Sequence, residues 1–163
     1  MPNKFTFQMK PVAGLLGRHV LPGYTVVDPF CGSSRLGQHR NDLAESGVDA
    51  NQYMDSLIEA RGEGWADVCL LDPPYSPRQI SEHYKSAGLP VGAKETQNAR
   101  LYSGAIERMD RVLKIGGKAI RCGWNSCGFG VTRGYVLNEV LLVCHGAAHN
   151  DTIVTVETKS RAL

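Results

Sequence analysis

Ala66-Asp67-Val68-Cys69-Leu70-Leu71-Asp72-Pro73-Pro74-Tyr75 is the stretch on which the fold turns. Ala66 to Leu71 is apolar without strict alternation, the pattern of a strand covered on both faces. It stops at an acid followed by two prolines, which lock φ and cannot donate to a ladder. Downstream, Tyr102, Ile106, Met109 and Leu113 recur at helical spacing, with Gly116-Gly117 as the expected stop. Lys118 to Cys122 then reads as the next strand, completing a strand–helix–strand unit. The same grammar marks Tyr24 to Val27, Val136 to Cys144 and Thr152 to Val156 as strands. We therefore expect an α/β protein with a mostly parallel sheet and helices packed on it. His145 to Asp151 is shorter than the dozen or so residues of a parallel crossover, so the last two strands should form a hairpin with an antiparallel final strand. His145 and His149 flank that turn and are read as structural.

The chain of 163 residues fits one domain, 1–163, without repeats or low-complexity tracts. Its 42% hydrophobic and 21% charged residues are ordinary for a globular protein and exclude collagen-like, disordered and coiled-coil classes. No apolar run reaches the roughly 20 residues that span a bilayer, and Met1 to Lys10 lacks a signal-peptide core, so a cytoplasmic protein is expected. Eighteen basic against sixteen acidic residues leave a net charge of +2, so any polyanion-binding patch must be local. The five cysteines form no C-x-x-C pair and are read as reduced thiols, with Cys69, Cys122 and Cys144 buried in strands.

Two segments carry chemistry. Asp28-Pro29-Phe30-Cys31-Gly32-Ser33 follows a strand, the position where open α/β sheets build ligand sites. Gly32 permits close backbone approach, and Asp28 suits a cationic group; a plain strand-to-loop turn is the alternative. The G-x-G-x-x-G spacing of a nicotinamide site and the G-x-x-x-x-G-K-[ST] phosphate loop are both absent, and no metal-ligand cluster is visible. Asp72-Pro73-Pro74-Tyr75 is more specific. The exocyclic amine of a nucleobase is a weak nucleophile because its lone pair is delocalised into the ring. Acceptors such as the Asp72 carboxylate and the Pro73 carbonyl would hold its N–H groups and favour attack, while Tyr75 offers a face for a flipped base. Cys31 lacks an adjacent base and is rejected as a nucleophile.

Together, Asp28-Pro29-Phe30-Cys31-Gly32-Ser33 and Asp72-Pro73-Pro74-Tyr75 resemble the cofactor loop and catalytic motif of S-adenosylmethionine-dependent DNA amino-methyltransferases, which act on adenine N6 or cytosine N4. Met9-Lys10-Pro11 to Leu16 is similar to the segment that often precedes the cofactor loop in that family. The resemblance spans residues 9–158 in element order and is strongest to short forms carried by phages and prophages. It implies a single-domain, Rossmann-like, seven-stranded sheet with an antiparallel last strand. It implies S-adenosyl-L-methionine held by Lys10, Asp28, Pro29, Phe30, Cys31 and Gly32, and catalysis by Asp72, Pro73, Pro74 and Tyr75. An acid at the first motif position is typical of adenine N6 enzymes, which places adenine ahead of cytosine. Related motifs also serve RNA and protein-amide methyltransferases, and a catalytically silent binding relative is the alternative from another class.

The chain departs from the family twice. Asp42, the next acid, comes ten positions after Gly32 instead of about 20. We read the first crossover as shrunk to a loop, with Asp42 at a strand end facing the ribose hydroxyls; an exposed turn acid is the alternative. Tyr53-Met54-Asp55 is then expected as the next strand end, with Asp55 facing the cofactor's adenine amine. The second departure is the lack of a separate target recognition domain, so DNA should be read by loops. Candidates are Ser76 to Gln97, with Arg78, His83, Lys85 and Lys94 toward the phosphates, and Gly123 to Gly130, where Trp124 would wall the base pocket. A homodimer would add surface that one small domain lacks for grasping a duplex.

Overall fold

The computed structural model describes residues 6–92, 99–146 and 150–161. Within them, strands β1 (Val26–Asp28), β2 (His39–Arg40), β3 (Ala66–Leu71), β4 (Leu113–Gly123), β5 (Tyr135–Val143) and β6 (Thr152–Lys159) form one sheet in the order β2-β1-β3-β4-β6-β5. Neighbouring pairs from β2 to β4 are parallel, and β6 is antiparallel to both β4 and β5. The fold is thus α/β with a mostly parallel, mixed sheet. It has six strands, not seven. The expected hairpin is present, with Val143 paired to Thr152, and β6 inserts between β4 and β5.

Both sheet faces are covered, as the unbroken apolar runs require. On one face, Val12, Leu15 and Leu16 of helix α1 (Lys10–His19) pack with Phe7 on Val68, Leu70, Ile120 and Val156. On the other, Met54 of α3 (Ala50–Arg61) and Ile106, Met109 and Val112 of α5 (Ala99–Val112) pack on Val27, Cys69, Leu71 and Ala119. The alternation of Val68 and Leu70 with Cys69 and Leu71 between these cores shows how one strand serves two layers. Short α2 (Leu43–Ser46) and α4 (Pro77–Ser86) follow β2 and β3.

Three local expectations are corrected. Tyr53-Met54-Asp55 lies inside α3, not at a strand end. The Asp49 carboxylate caps this helix by accepting from the Asn51 and Gln52 N–H groups, and Met54 is its buried residue facing the sheet. Helix α5 stops at Val112, before Gly116-Gly117, because its Arg111 and Val112 carbonyls accept from Gly64 and Trp65 and Leu113 already pairs with Ala66 of β3. Cys144 is exposed just beyond β5, whereas Cys31, Cys69 and Cys122 are buried, all as free thiols.

The shortened crossover is present: parallel β1 and β2 are joined by residues 29–38 without a helix. Gln38 makes so short a return workable. Its side-chain carbonyl accepts from Val26 N–H at 2.7 Å and its amide donates to the Tyr24 carbonyl at 3.1 Å, replacing ladder bonds. At Gly37 an added Cβ would lie 3.2 Å from the Val26 carbonyl oxygen, so a larger residue would push the chain a few tenths of an ångström away from β1. His145 is tied to Thr152 at 2.9 Å within the hairpin, and His149 lies outside the described residues. No helix among the described residues is long and apolar enough to cross a membrane.

Candidate active site at the ends of the parallel strands

Strands β1, β2, β3 and β4 point their carboxyl ends toward one edge of the sheet, where Asp28, Asp42, Asp72 and Trp124 leave or follow them. Between these ends lies a cleft of about 200 Å³. Its walls are Thr6 and Phe7 of the N-terminal 3-10 turn, Pro29 to Gly32, Asp42, Asp49, Asp72 to Pro74, and the inner face of α4 through Gln79, Ile80 and His83. A shallower depression lined by Arg35, Arg40 and Glu45 shares Cys31, Asn41 and Asp42 with the cleft and extends it past β2.

Asp28 is completely buried, one residue before the cleft wall begins at Pro29. Its Oδ1 accepts from Phe30 N–H at 3.3 Å, while Oδ2 has no partner. Burial, aided by the nearby Asp72 charge, pushes its carboxyl from an ordinary 3.8 to about 8. The Asp28 carbonyl and the Cys31 N–H bond the Asn41 backbone at 3.0 and 2.9 Å, locking the post-β1 loop to the post-β2 segment. Gly32 takes φ +50°, a left-handed conformation that favours glycine. Cys31 lines the cleft, and burial pushes its thiol up to about 11.

Asp72 ends the central strand with its carboxylate held from two sides. The Tyr75 hydroxyl donates to Oδ1, and Thr6 donates from the N-terminal turn. Burial raises the acid to about 6 against these two bonds, which favour the charged form. Tyr75 is itself pushed well up by burial beside Asp72, so its hydroxyl stays a donor. The Tyr75 N–H donates to Gln79 Oε1 at 2.7 Å, and Ser76 caps α4 by accepting from Gln79 N–H at 3.2 Å. Pro74 offers its carbonyl to the Tyr102 hydroxyl of α5. Beyond the cleft wall, Trp124 is 42% exposed, and its ring centroid lies 5.7 Å from that of Tyr75 at 53°. The loop carrying it is pinned: buried Glu157 accepts from Phe129 and Gly130 N–H, and Arg121 donates to the Gly128 carbonyl at 3.0 Å.

The structure thus gathers Asp28, Pro29, Phe30, Cys31, Gly32, Asp42, Asp72, Pro73, Pro74 and Tyr75 around one strand edge, with Trp124 beside them. Two residues expected at the cofactor are elsewhere. Asp55 points from α3 to Arg108, with contacts of 2.7 and 2.8 Å, and does not line the cleft. Lys10 is the exposed first residue of α1; Thr6 and Phe7, just before it, line the cleft instead. The 76–97 segment, expected as a loop, carries helix α4, because Ser76-Pro77 supplies both a cap and a first-turn proline. Arg78 and Lys85 are exposed on it, Arg78 with its Nε 2.8 Å from Glu82, and Lys94 lies outside the described residues. Sequence reasoning missed Thr6, Asp49, Gln79 and Tyr102. Only Asp49 left a signal, as an acid preceding a helical segment. No protein-family model matches the chain, and no curated protein matches it in sequence.

Proposed function

We propose that this protein is a Rossmann-like methyltransferase that moves a methyl group from S-adenosyl-L-methionine to the exocyclic amine of a flipped DNA base, with adenine N6 ahead of cytosine N4. The observation that carries this reading is the Asp72 carboxylate, fixed by Tyr75 and Thr6 at the end of the central strand, with the Pro73 carbonyl next along the chain. The parallel strand edge and the reversed last strand support it at the level of the fold.

The cofactor fits the chemistry of the residues present. A buried carboxylate oxygen without a partner, Asp28 Oδ2, suits an ammonium group. Asp42 and Asp49, both on the cleft wall, are carboxylates to which ribose hydroxyls and an adenine amine can donate. Asp49 takes the place first given to Asp55. When bound, S-adenosylmethionine supplies a methyl group already activated as a sulfonium.

The protein's own work is then orientation and acceptance of charge. Asp72 and the Pro73 carbonyl accept the two amine N–H bonds, which draws electron density onto the nitrogen and turns its lone pair outward. A carboxylate has about four acceptor positions, so the bonds from Tyr75 and Thr6 leave room on Asp72 for the amine and for its departing proton. Trp124, exposed and tilted against the Tyr75 ring, offers the aromatic face on which a base can stack. Arg78 and Lys85 are exposed on α4, outside the residues that line the cleft, and are the cations of this helix that suit phosphates. Incubation with radiolabelled cofactor and separate pools of DNA, RNA and protein tests the assignment: label should enter DNA. Label confined to RNA or protein moves the substrate, and label in no pool rejects the activity.

A further inference from the structure

The Asp72–Tyr75 segment is held from three separate elements, and the tie to Tyr102 has no role in the chemistry described so far. Thr6 reaches Asp72 from the N-terminal turn, Gln79 reaches the Tyr75 N–H from α4, and Tyr102 reaches the Pro74 carbonyl from α5. The segment presents three acceptors in a row: the Asp72 carboxylate, the Pro73 carbonyl and the Pro74 carbonyl. An amine brings only two N–H bonds. Tyr102 occupies the third acceptor, which leaves the first two for the amine.

We propose that Tyr102 is a positioning residue: by occupying the Pro74 carbonyl it fixes, together with the Gln79 bond to the Tyr75 N–H of the same peptide, the plane between Pro74 and Tyr75 and leaves Asp72 and Pro73 as the acceptor pair for the amine. This rests on the methyl-transfer reading for its consequence, while the restraint on the loop stands on the hydrogen bonds alone.

The strut behind this contact is packed on the core. Tyr102 precedes Ile106 and Met109 on one face of α5, and the later residues of that face are buried against the sheet beneath Cys69 and Leu71. The loop itself supplies little restraint at this point, because two successive prolines leave no N–H at positions 73 and 74 to anchor it. Burial pushes the Tyr102 hydroxyl up to about 12, so it remains a donor throughout the working pH range. Displacements near 1 Å at a reacting centre cost up to about 100-fold in rate, so a single bond to this loop has leverage beyond its own strength.

The test is Tyr102→Phe, which keeps the ring and removes only the bond. Turnover should fall at least tenfold with cofactor affinity and KM for DNA within about twofold, since neither ground-state site is touched. A second reading does not need activity. In protein labelled with 5-fluorotryptophan, the Trp124 resonance, which reports on Tyr75, should shift or broaden in the variant while that of Trp65 stays in place. Unchanged turnover in an active wild-type background overturns the proposal. If the wild type transfers no methyl group, the functional reading fails separately, and the positioning claim is decided by the Trp124 resonance: movement supports it and an unmoved signal overturns it. If the phenylalanine variant does not fold, Tyr102→Met is judged by the same two readings.

Discussion

Asp28 and Asp72 leave neighbouring strands at the same edge of the sheet, and burial shifts both carboxyls upward for different purposes. For Asp72, with its acid near 6, the charged acceptor is present at neutral pH and lost below it. Methyl transfer should therefore drop about tenfold per pH unit below 6, and in Asp72→Asn, which keeps only a neutral acceptor, that inflection should vanish along with most of the rate. Asp72→Ala should leave cofactor affinity within a few-fold and lower turnover at least about 100-fold. For Asp28 the consequence is stability. The folded protein retains its proton up to about pH 8, whereas the unfolded chain gives it up near the ordinary 3.8. The folded state binds more protons across that window, so this contribution to stability is complete below the lower value and is lost as pH rises toward the upper one. Without cofactor, Asp28→Asn should melt close to wild type at pH 4 and above it at pH 8; a melting difference that does not grow with pH would remove the buried acid from the account.

At the scale of elements, aspartates at helix starts do double duty. Asp42 accepts from Ala44 N–H at 2.9 Å to cap α2 and also lines the cleft, as does Asp49 at the start of α3. Calorimetry on Asp42→Ala should show cofactor binding weakened about 10- to 150-fold, the range expected for losing a charge-assisted pair. Losing the cap costs only about 1 kcal/mol of stability in addition. Unchanged affinity would pass the ribose role to Asp49. These elements also show what was legible beforehand. Residues 66–71 and the closing hairpin were readable because strand pattern and loop length are local properties, and Asp72-Pro73-Pro74-Tyr75 because its residue types are unusual together. Tyr53-Met54-Asp55 was misread because three residues carry no period, while the deciding signal, the Asp49 cap, lies four residues before Tyr53. Thr6, Gln79 and Tyr102 were invisible as site residues because each acts through a contact made only when distant segments meet.

Across the whole molecule, the single reversed strand separates two kinds of polar interior. Because β6 runs against its neighbours, its Lys159 end lies at the edge opposite the cleft, where the buried ammonium donates to the Leu113 carbonyl at 3.1 Å and stands 3.2 Å from the Asp110 carboxylate, itself bonded by Tyr135. That cluster ties α5 to the sheet. At the opposite edge, Asp28 keeps an unpartnered oxygen behind the cleft wall and Asp72 keeps acceptor capacity in it. Methylation of a base amine through Asp72 would leave its mark on the DNA itself. The most direct measurement is to treat unmethylated DNA with cofactor and either wild-type protein or Asp72→Ala, digest it to nucleosides and resolve them by mass spectrometry. The account predicts N6-methyldeoxyadenosine from the wild type and none above background from the variant; no methylated nucleoside from the wild type, or equal amounts from both proteins, would contradict it.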